Sequence, residues 1–319
     1  MSQNKEYYTA KDYLENPSLF VPSWTGEWNP PEEFTNFEKK WETFFNPKGR
    51  LMCMAHRSDN DIFYPEDSLE GIMSCIAAGV DFLELDIRTT KDGVHVLMHD
   101  PTVTRTTNVN ELRAAGVEGL PETDELAEWT FEQLRKLRLV LERPEGNIPT
   151  NYVIPTFEDM VMVCANKIFV FLDIKSEVFT WDEDAYPIVK KYNAYRSIWL
   201  PCTFSSRKPM EYNMAWLKRI EEESGHRAAF QVAVYPGNVE ERAKLIHEYN
   251  LPLCLRGGDY KPEADEAYAP YFENYRIHIN GIWPPYNTLD VWKSFHKTGY
   301  KIIQLDDYMT LLKYIAEQL

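Results

Sequence analysis

Two carboxylates on one face of a short apolar run are the strongest chemical feature of the sequence. Glu84 and Asp86 lie in the run FLELDIR, and because side chains alternate along a strand, both project to the same side. Burying two neighbouring carboxylates is very costly unless a metal ion, an arginine or water compensates their charge. The alternative is a solvated pair on an edge strand. A glycosidase pair is less favoured, because those carboxylates flank a bond across a cleft.

A second run, KIFVFLDIK, repeats the pattern of apolar residues followed by charged ones. Asp173 and Lys175 share a face near the end of this run. A third carboxylate would complete an oxygen-ligated site for Ca²⁺ or Mg²⁺. Lys175, one pleat further out, would then meet an oxyanion of a substrate. The alternative is a local charge pair on the surface.

Two histidines end short apolar runs and are candidates for proton transfer. His56 closes LMCMAH and precedes Arg57, and His99 closes VHVLMH and precedes Asp100. A lone histidine on a strand is usually structural, but two beside three carboxylates favour an acid–base pair. His95 lies nearer the start of its run and is assigned to structure. The other histidines carry no motif and are expected to be surface or packing residues: His226, His247, His278 and His296.

The elements that must position these residues alternate between strand-like and helical patterns. Nine short apolar runs follow Leu51, several of them separated by helical segments, which indicates an α/β protein with a mostly parallel sheet. At this length the pattern predicts a (β/α)₈ TIM barrel, whose active site lies at the carboxyl ends of its strands. One run is then surplus, and either 251–256 or 275–283 is the doubtful one. Residues 100–155 are too long for an ordinary loop and are interpreted as an insertion.

Local signals place several helix ends and one tight turn. Asp67 with Glu70 is interpreted as a capping box, and Gly79 as the end of that helix. Two more helix starts are expected where threonine precedes an acidic or amide residue by three positions: Thr156 with Asp159, and Thr130 with Gln133. Residues 90–93, TKDG, predict an antiparallel hairpin in which paired residue numbers add to about 184.

Residues 1–50 form an aromatic extension ahead of a barrel domain that spans 51–319. Helical spacing over 31–46 aligns an aromatic stripe, which we expect to pack on the amino-terminal end of the barrel. The stripe comprises Phe34, Phe37, Trp41, Phe44 and Phe45. The intervening polar residues, Glu38, Lys39, Lys40 and Glu42, are expected to face solvent. A lid over the substrate is the alternative.

Composition limits the partners of the protein. The 319 residues include 44% hydrophobic residues, enough for a large core, and carry a formal net charge of −16. This charge disfavours nucleic acid and anionic lipid surfaces as partners. No signal peptide or membrane-spanning run is evident, so no stable membrane insertion is expected. The odd count of widely spaced cysteines predicts reduced thiols and a cytoplasmic location: Cys53, Cys75, Cys164, Cys202 and Cys254.

An ordered series of motifs resembles the glycerophosphodiester phosphodiesterase family. The strong part of the resemblance consists of His56-Arg57, Pro65-Glu66-Asp67-Ser68-Leu69, Glu84-Leu85-Asp86-Ile87-Arg88, Thr90-Lys91-Asp92-Gly93, His99-Asp100, Arg105-Thr106-Thr107-Asn108, Ile154-Pro155-Thr156-Phe157-Glu158 and Asp173-Ile174-Lys175. Weaker counterparts follow at Thr203-Phe204-Ser205-Ser206, Trp283 and Leu305-Asp306-Asp307. The resemblance implies an irregular TIM-like barrel with a small insertion after the third strand. It further implies a divalent cation and hydrolysis of a small phosphodiester to glycerol 3-phosphate and an alcohol.

The same resemblance assigns roles position by position. His56 and His99 correspond to the acid–base pair, and the metal ligands correspond to Glu84, Asp86 and Asp173. The residues placed with the substrate or its phosphate are Arg57, Lys175, Glu66 and Trp283. Three departures stand out: Ser58 replaces a glycine, Asp67-Ser68 replaces Asn-Thr, and Asp173 replaces a glutamate. None of them removes a proton-transfer group.

Hydrolysis is the preferred function, with two alternatives. The first is a lyase that uses the same site and stops at a cyclic phosphate. The second is a barrel that binds phosphorylated ligands without turning them over, which the presence of both His56 and His99 disfavours. The sequence leaves the alcohol, the choice between Ca²⁺ and Mg²⁺ and the oligomeric state open.

Overall fold

The computed structural model describes residues 6–200, 210–248 and 254–319. Its strands are β1 (Met52–His56), β2 (Phe82–Thr89), β3 (His95–Leu97), β4 (Val140–Leu141), β5 (Ile148–Pro149), β6 (Phe169–Ile174), β7 (Val232–Ala233), β8 (Cys254–Asp259), β9 (Arg276–Asn280) and β10 (Ile302–Leu305). Its helices are α1 (Ala10–Glu15), α2 (Glu32–Thr35), α3 (Phe37–Phe45), α4 (Leu69–Ala78), α5 (Val109–Ala114), α6 (Phe131–Leu134), α7 (Phe157–Cys164), α8 (Tyr186–Lys191), α9 (Met210–Ser224), α10 (Val239–Glu248), α11 (Glu263–Tyr268), α12 (Leu289–Thr298) and α13 (Tyr308–Ala316).

The main sheet is parallel and curls into the predicted TIM-like barrel. Strand β1 lies between β2 and β10, and the order continues through β9 and β8 to β7. On its other side β2 pairs with β6. Single parallel bridges then join Val170 to Ile198 and Leu200 to Phe230, so the segment 198–200 links β6 to the residues just before β7. The carboxyl ends of these strands therefore meet at one rim.

Strand β3 is the surplus run, and it pairs antiparallel with β2. The expectation that 251–256 or 275–283 is surplus was wrong, because these runs supply β8 and β9 within the parallel sheet. Ile87 pairs with Leu97 and Thr89 with His95, so the paired numbers add to 184 and the predicted hairpin is confirmed. The turn 90–93 is too short for a crossover, and the chain returns alongside β2.

Helix ends follow the local signals with one exception. Gly79 ends α4 at a φ of +89°, and Thr156 and Thr130 form capping boxes with Asp159 and Gln133. The cap of α4 is Ser68, not Asp67, because the Ser68 hydroxyl accepts from the N–H of Gly71. Asp67 was therefore wrongly assigned by one residue.

The interior of the barrel is apolar at the amino-terminal end of the strands, and α3 closes that end. The first inward-facing residues of the strands form one buried cluster with Phe37 and Phe44: Met52, Met54, Phe82, Phe169, Phe171, Trp199 and Ile302. The rings of Phe44 and Trp199 lie 4.7 Å apart, and those of Phe37 and Phe169 lie 5.2 Å apart. Because these residues begin their strands, α3 lies at the amino-terminal end of the barrel.

Two details of this segment differ from the sequence expectation. The helix is not continuous over 31–46, because Asn36 interrupts it and caps α3 through its side chain. Lys40 was wrongly assigned to the solvent face: it is fully buried, and its Nζ donates to the carbonyls of Val80 at 2.6 Å and Lys167 at 3.3 Å. These carbonyls precede β2 and β6, so the lysine ties α3 to both strands.

The segment between β3 and α7 has a core of its own. Its buried residues include Val103, Val109, Leu126, Trp129, Leu134 and Leu139, which pack with Val96 and Met98 of the hairpin. The described cysteines, Cys53, Cys75, Cys164 and Cys254, are buried free thiols, and Cys202 and Thr203-Phe204-Ser205-Ser206 lie outside the described residues. Within the described ranges, no helix is long and apolar enough to cross a bilayer.

Candidate active site

Three carboxylates meet at the carboxyl ends of β2 and β6. Asp86 pairs in register with Asp173, and Glu84 lies two residues before Asp86 on the same face. One oxygen from each of Glu84, Asp86 and Asp173 lies within 4.8 Å of the others. Glu84 is 4% exposed and Asp86 only 1%. The structure therefore brings together the residues that the sequence predicted as metal ligands.

The electrostatics of this trio favour a cation between its members. Burial, and then the charge of Asp173, raise the pKa of Glu84 to about 7. Burial, and then the charge of Glu84, raise the pKa of Asp86 to about 7. Neither oxygen of Asp86 has a hydrogen-bond partner. Hard carboxylate oxygens, crowded and incompletely paired, are the ligands that Ca²⁺ and Mg²⁺ accept, so the residues fit such an ion.

His56 is held between the trio and a fourth carboxylate. It pairs with Glu84 across β1 and β2, and its Nε2 lies 3.8 Å from Oε2 of Glu84. Its Nδ1 lies 2.8 Å from Oδ1 of Asp306, just beyond β10. Asp306 also accepts from the side-chain amides of Asn60 at 2.5 Å and Asn287 at 3.0 Å. A carboxylate can only accept a hydrogen bond, so the N–H at Nδ1 donates one to Asp306, and Nε2 faces the trio.

His99 also has a carboxylate bonded to its ring. Its Nδ1 lies 2.8 Å from Oδ1 of Asp100. Arg105 donates from Nε to the second oxygen of Asp100 at 2.6 Å, and this bond holds the pKa of Asp100 well below its usual range. The N–H of Met98 donates to the carbonyl of Asp86 at 3.1 Å, so His99 follows directly after the residue that is bonded to Asp86. His95, by contrast, contacts Thr89 and Asp184.

Two of the predicted phosphate-binding cations lie directly against the trio. Lys175 Nζ is 2.9 Å from Asp173 and 3.3 Å from Asp86. Arg57 Nε is 3.6 Å from Asp86, and its Nη1 is 3.0 Å from Glu66. These contacts leave the guanidinium and the ammonium at the edge of the site, where an anionic substrate would complete their neutralisation.

Glu66 links Arg57, which lies against the trio, to Arg105, which holds the carboxylate behind His99. It is 3% exposed and accepts from Arg57 on one side and from Arg105 on the other, with its Oε1 2.6 Å from Nη2 of Arg105. Burial would raise the pKa of Glu66, but the two guanidinium groups outweigh it and hold the pKa below its usual value. Glu66 therefore stays charged and positions both arginines.

The loop after β1 is strained where the family glycine is replaced. Arg57, Ser58, Asn60 and Asp61 have φ values of +50°, +62°, +45° and +65°, a region that side chains other than glycine rarely adopt. Strain of this kind is stored where surrounding contacts hold a functional loop. Asp67, at a φ of +53°, is buried, and neither of its oxygens has a hydrogen-bond partner. Burial, and then the charge of Asp86, raise its pKa well above the usual value.

Trp283 is the predicted site residue least connected to the others. It lies three residues beyond the carboxyl end of β9 and is 56% exposed. Its indole takes part in none of the hydrogen bonds described above. The side chains that sequence reasoning left without a role are Asp306, Asp100, Arg105, Asn60 and Asn287. The dipeptide His99-Asp100 and the carboxylates after β10 were the available signals.

The fold and the site together define a TIM-like barrel that carries two carboxylate-bonded histidines and a cluster of three carboxylates. The profile of the glycerophosphoryl diester phosphodiesterase family matches residues 56–253. Glycerophosphodiester phosphodiesterase 1 from Bos taurus is 34% identical over 134 residues, which are 42% of this chain and 36% of that protein.

Two solved structures show the same fold. A glycerophosphoryl diester phosphodiesterase from Parabacteroides distasonis aligns with a TM-score of 0.63 and 22% identity, over 89% of this chain and 93% of its own. A phosphodiesterase from Oleispira antarctica, in complex with its product sn-glycerol-3-phosphate, aligns with a TM-score of 0.54 and 14% identity, over 83% and 96%.

The chain therefore belongs to the glycerophosphoryl diester phosphodiesterase family. Its match to the curated relatives is partial, because it spans only about a third of the Bos taurus protein, 36% of its length.

Proposed function

We propose that the protein hydrolyses small glycerophosphodiesters to glycerol 3-phosphate and an alcohol. The observation that carries the proposal is that His56 and His99 each have Nδ1 on a carboxylate. His56 ends β1 and His99 follows β3, and both strands pair with β2, which carries two members of the trio. Family membership supports the substrate class, and the Oleispira antarctica relative holds sn-glycerol-3-phosphate.

The proposed mechanism divides the work among named groups. Glu84, Asp86 and Asp173 would hold a divalent cation, Ca²⁺ or Mg²⁺, which when bound neutralises charge on the nonbridging oxygens. Arg57 and Lys175 bind and orient the phosphate from the edge of the site. One of His56 and His99 removes a proton from the nucleophile, and the other protonates the leaving alkoxide. The nucleophile is water, or a neighbouring hydroxyl of the substrate that forms a cyclic phosphate, which water then opens to glycerol 3-phosphate. Asp306 and Asp100 hold the two rings in the required tautomer.

The test follows products by phosphorus NMR with glycerophosphocholine and glycerophosphoethanolamine, with Ca²⁺, with Mg²⁺ and after treatment with a chelator. We expect glycerol 3-phosphate, and loss of turnover when the cation is removed. A cyclic phosphate that persists would identify the lyase instead. No turnover of any diester in either cation would contradict the proposal and favour a binding barrel.

Variants of the histidines test their pairing. His56→Ala and His99→Ala should each lower kcat by at least about 10²-fold, the low end for positioned acid–base catalysis. The double variant should lose much less than the product of the two losses, because both groups serve one transition state. His95→Ala is the matched control and should keep most of its activity. Multiplicative losses would count against a shared step.

We also propose a cytoplasmic location, because the described cysteines are buried free thiols, as in proteins of reducing compartments. Fractionation of cells that produce the protein, followed by immunoblotting, would test it.

A further inference from the structure

One arginine projects into the lumen from the wall opposite the trio. Arg256 on β8 shares the face of Cys254, which belongs to the apolar cluster inside the barrel. Its guanidinium carbon lies 5.0 Å from the centre of the Phe171 ring. Phe171 pairs in register with Glu84 and lies two residues before Asp173. Arg256 therefore reaches across the lumen to the level of the trio.

Arg256 differs from the other cations of the site because it forms no ion pair or side-chain hydrogen bond with a described residue. Arg57, Lys175 and Arg105 each form ion pairs with carboxylates. Within the described ranges, the guanidinium of Arg256 has neither a hydrogen bond nor an ion pair, only its contact with the Phe171 ring. A partly buried guanidinium has lost part of its hydration, and such a charge is normally compensated. Among the described residues none accepts from the guanidinium N–H groups of Arg256, so an anion that enters the lumen can bind them.

The backbone of β8 is irregular immediately after Arg256. Arg256 pairs with His278, but the register with β9 shifts before Asp259 pairs with Asn280. Gly257 approaches the carbonyl of His278 so closely that a Cβ would lie 2.9 Å from its oxygen. Bulges of this kind redirect side chains and are frequent next to active sites. The glycine therefore permits the irregularity that follows Arg256 at the rim.

We propose that Arg256 binds the phosphoryl group of the substrate from the side opposite Arg57 and Lys175. The inference rests on the proposed function, because it names a further binding group of the same site. A guanidinium can donate two parallel hydrogen bonds to a phosphate, which an ammonium cannot. Arg57 and Lys175 are engaged by carboxylates, whereas Arg256 has no ion pair with a described residue, so its donors can bind an arriving phosphate.

The test measures phosphate binding separately from turnover. Isothermal titration calorimetry with inorganic phosphate and with glycerol 3-phosphate, in Mg²⁺, compares the wild type with Arg256→Gln and Arg256→Lys. Loss of a charge-assisted, two-point contact should weaken binding roughly 10- to 100-fold in Arg256→Gln. Arg256→Lys should recover part of the loss, and kcat/KM should follow the same order. The control is Arg227→Gln, which removes an exposed arginine stacked 4.7 Å from the Phe45 ring outside the lumen and should change nothing.

The outcomes separate the two proposals. If the wild type binds phosphate but turns over no diester, the proposed function fails while Arg256 is still tested by affinity. Wild-type affinity in both Arg256 variants, or no phosphate binding by the wild type, would overturn the inference. Circular dichroism verifies folding, and Arg256→Lys keeps the test valid if the glutamine variant is unfolded. A loss seen with glycerophosphoserine but not with glycerophosphoethanolamine or phosphate would assign Arg256 to a head-group carboxylate and would also overturn it.

Discussion

Each of the two histidines, His56 and His99, is held by a carboxylate at its Nδ1. Asp306 follows β10 and Asp100 follows His99 directly, yet each accepts from a histidine Nδ1 at 2.8 Å. Each carboxylate is itself fixed by further donors, amides at Asp306 and a guanidinium at Asp100. This arrangement holds the imidazole tautomer and stabilises the imidazolium that forms during proton transfer. The sequence predicted both histidines but gave these carboxylates no role, because strand parity shows neither that β10 pairs with β1 nor that the Asp100 side chain turns back to the neighbouring ring.

Replacing Asp306 should impair proton transfer without weakening substrate binding. Asp306→Asn keeps the size of the side chain but removes the charge that stabilises His56 as a cation. We expect kcat to fall by about 10²-fold or more, in the range of positioned acid–base catalysis, with KM nearly unchanged. The limb of the kcat profile governed by His56 should move to lower pH. Asp307→Asn is the control, because the side chain of Asp307 caps α13 by accepting from the N–H of Thr310. A higher KM with an unshifted pH profile would indicate a merely structural role.

At the scale of elements, the apolar runs predicted most of the strands, and the threonine caps predicted where α6 and α7 begin. The hairpin register followed from four residues because a tight turn fixes which positions can pair. The apolar runs did not show which of them lies outside the parallel sheet, because a run of five residues has the same pattern in a parallel strand and in a hairpin arm. The prediction that Lys40 faces solvent was wrong for a related reason. Helical spacing shows which residues share a face, but it does not show that two backbone carbonyls lie within hydrogen-bond distance of a buried ammonium.

Helix α3 should contribute stability and leave catalysis unaffected. Phe44 is 2% exposed and contacts the rings of Phe82 and Trp199 at the end of the barrel remote from the trio. Phe44→Ala should lower the free energy of unfolding by about 3–5 kcal/mol, the usual loss for a buried aromatic ring. Phe45→Ala, its partly buried neighbour, should lose clearly less. Chemical denaturation measures both, and KM should equal that of the wild type. A changed substrate preference in Phe44→Ala would instead support a lid.

The contact between α1 and α4 should make stability depend on pH. Tyr13 donates to buried Glu70 at 2.6 Å, and burial raises the pKa of Glu70 to about 7 against this bond. Between pH about 4.5 and 7 the folded state holds a proton that the unfolded state has lost. The contribution of Glu70 to the free energy of unfolding is therefore fully present below pH about 4.5. It falls as the pH rises towards 7, by at most about 1.4 kcal/mol per pH unit.

Glu70→Gln should remove that part of the pH dependence. Urea denaturation at pH 5 and pH 8 should show a smaller loss of stability for the variant than for the wild type. Glu158→Gln is the control, because hydrogen bonds from Lys191 and Tyr192 lower the pKa of Glu158 and its contribution runs in the opposite sense. Equal slopes for the wild type and Glu70→Gln would contradict the assignment.

At the scale of the whole molecule, the chain has a net charge of −16, yet cations lie against the three clustered carboxylates: Lys175 contacts Asp173, and Arg57 lies 3.6 Å from Asp86. The family resemblance identified the trio, both histidines and the barrel, because chemistry restricts those residue types strongly. It did not identify Arg256, whose importance depends on which strands face each other across the lumen. The division into an extension of 1–50 and a barrel of 51–319 stays a prediction.

The stability of the whole protein should be linked to the divalent cation. A ligand that binds only the folded state stabilises it by about 2.7 kcal/mol when its free concentration is a hundred times its Kd. Binding would also relieve the repulsion among three carboxylates that lie within 4.8 Å of one another. Differential scanning fluorimetry should therefore show Tm rising with Ca²⁺ or Mg²⁺ and returning after a chelator is added. Asp86→Asn should abolish the rise, whereas Glu240→Gln, at an exposed carboxylate of α10, should preserve it. The same rise in Asp86→Asn as in the wild type would place the bound cation elsewhere.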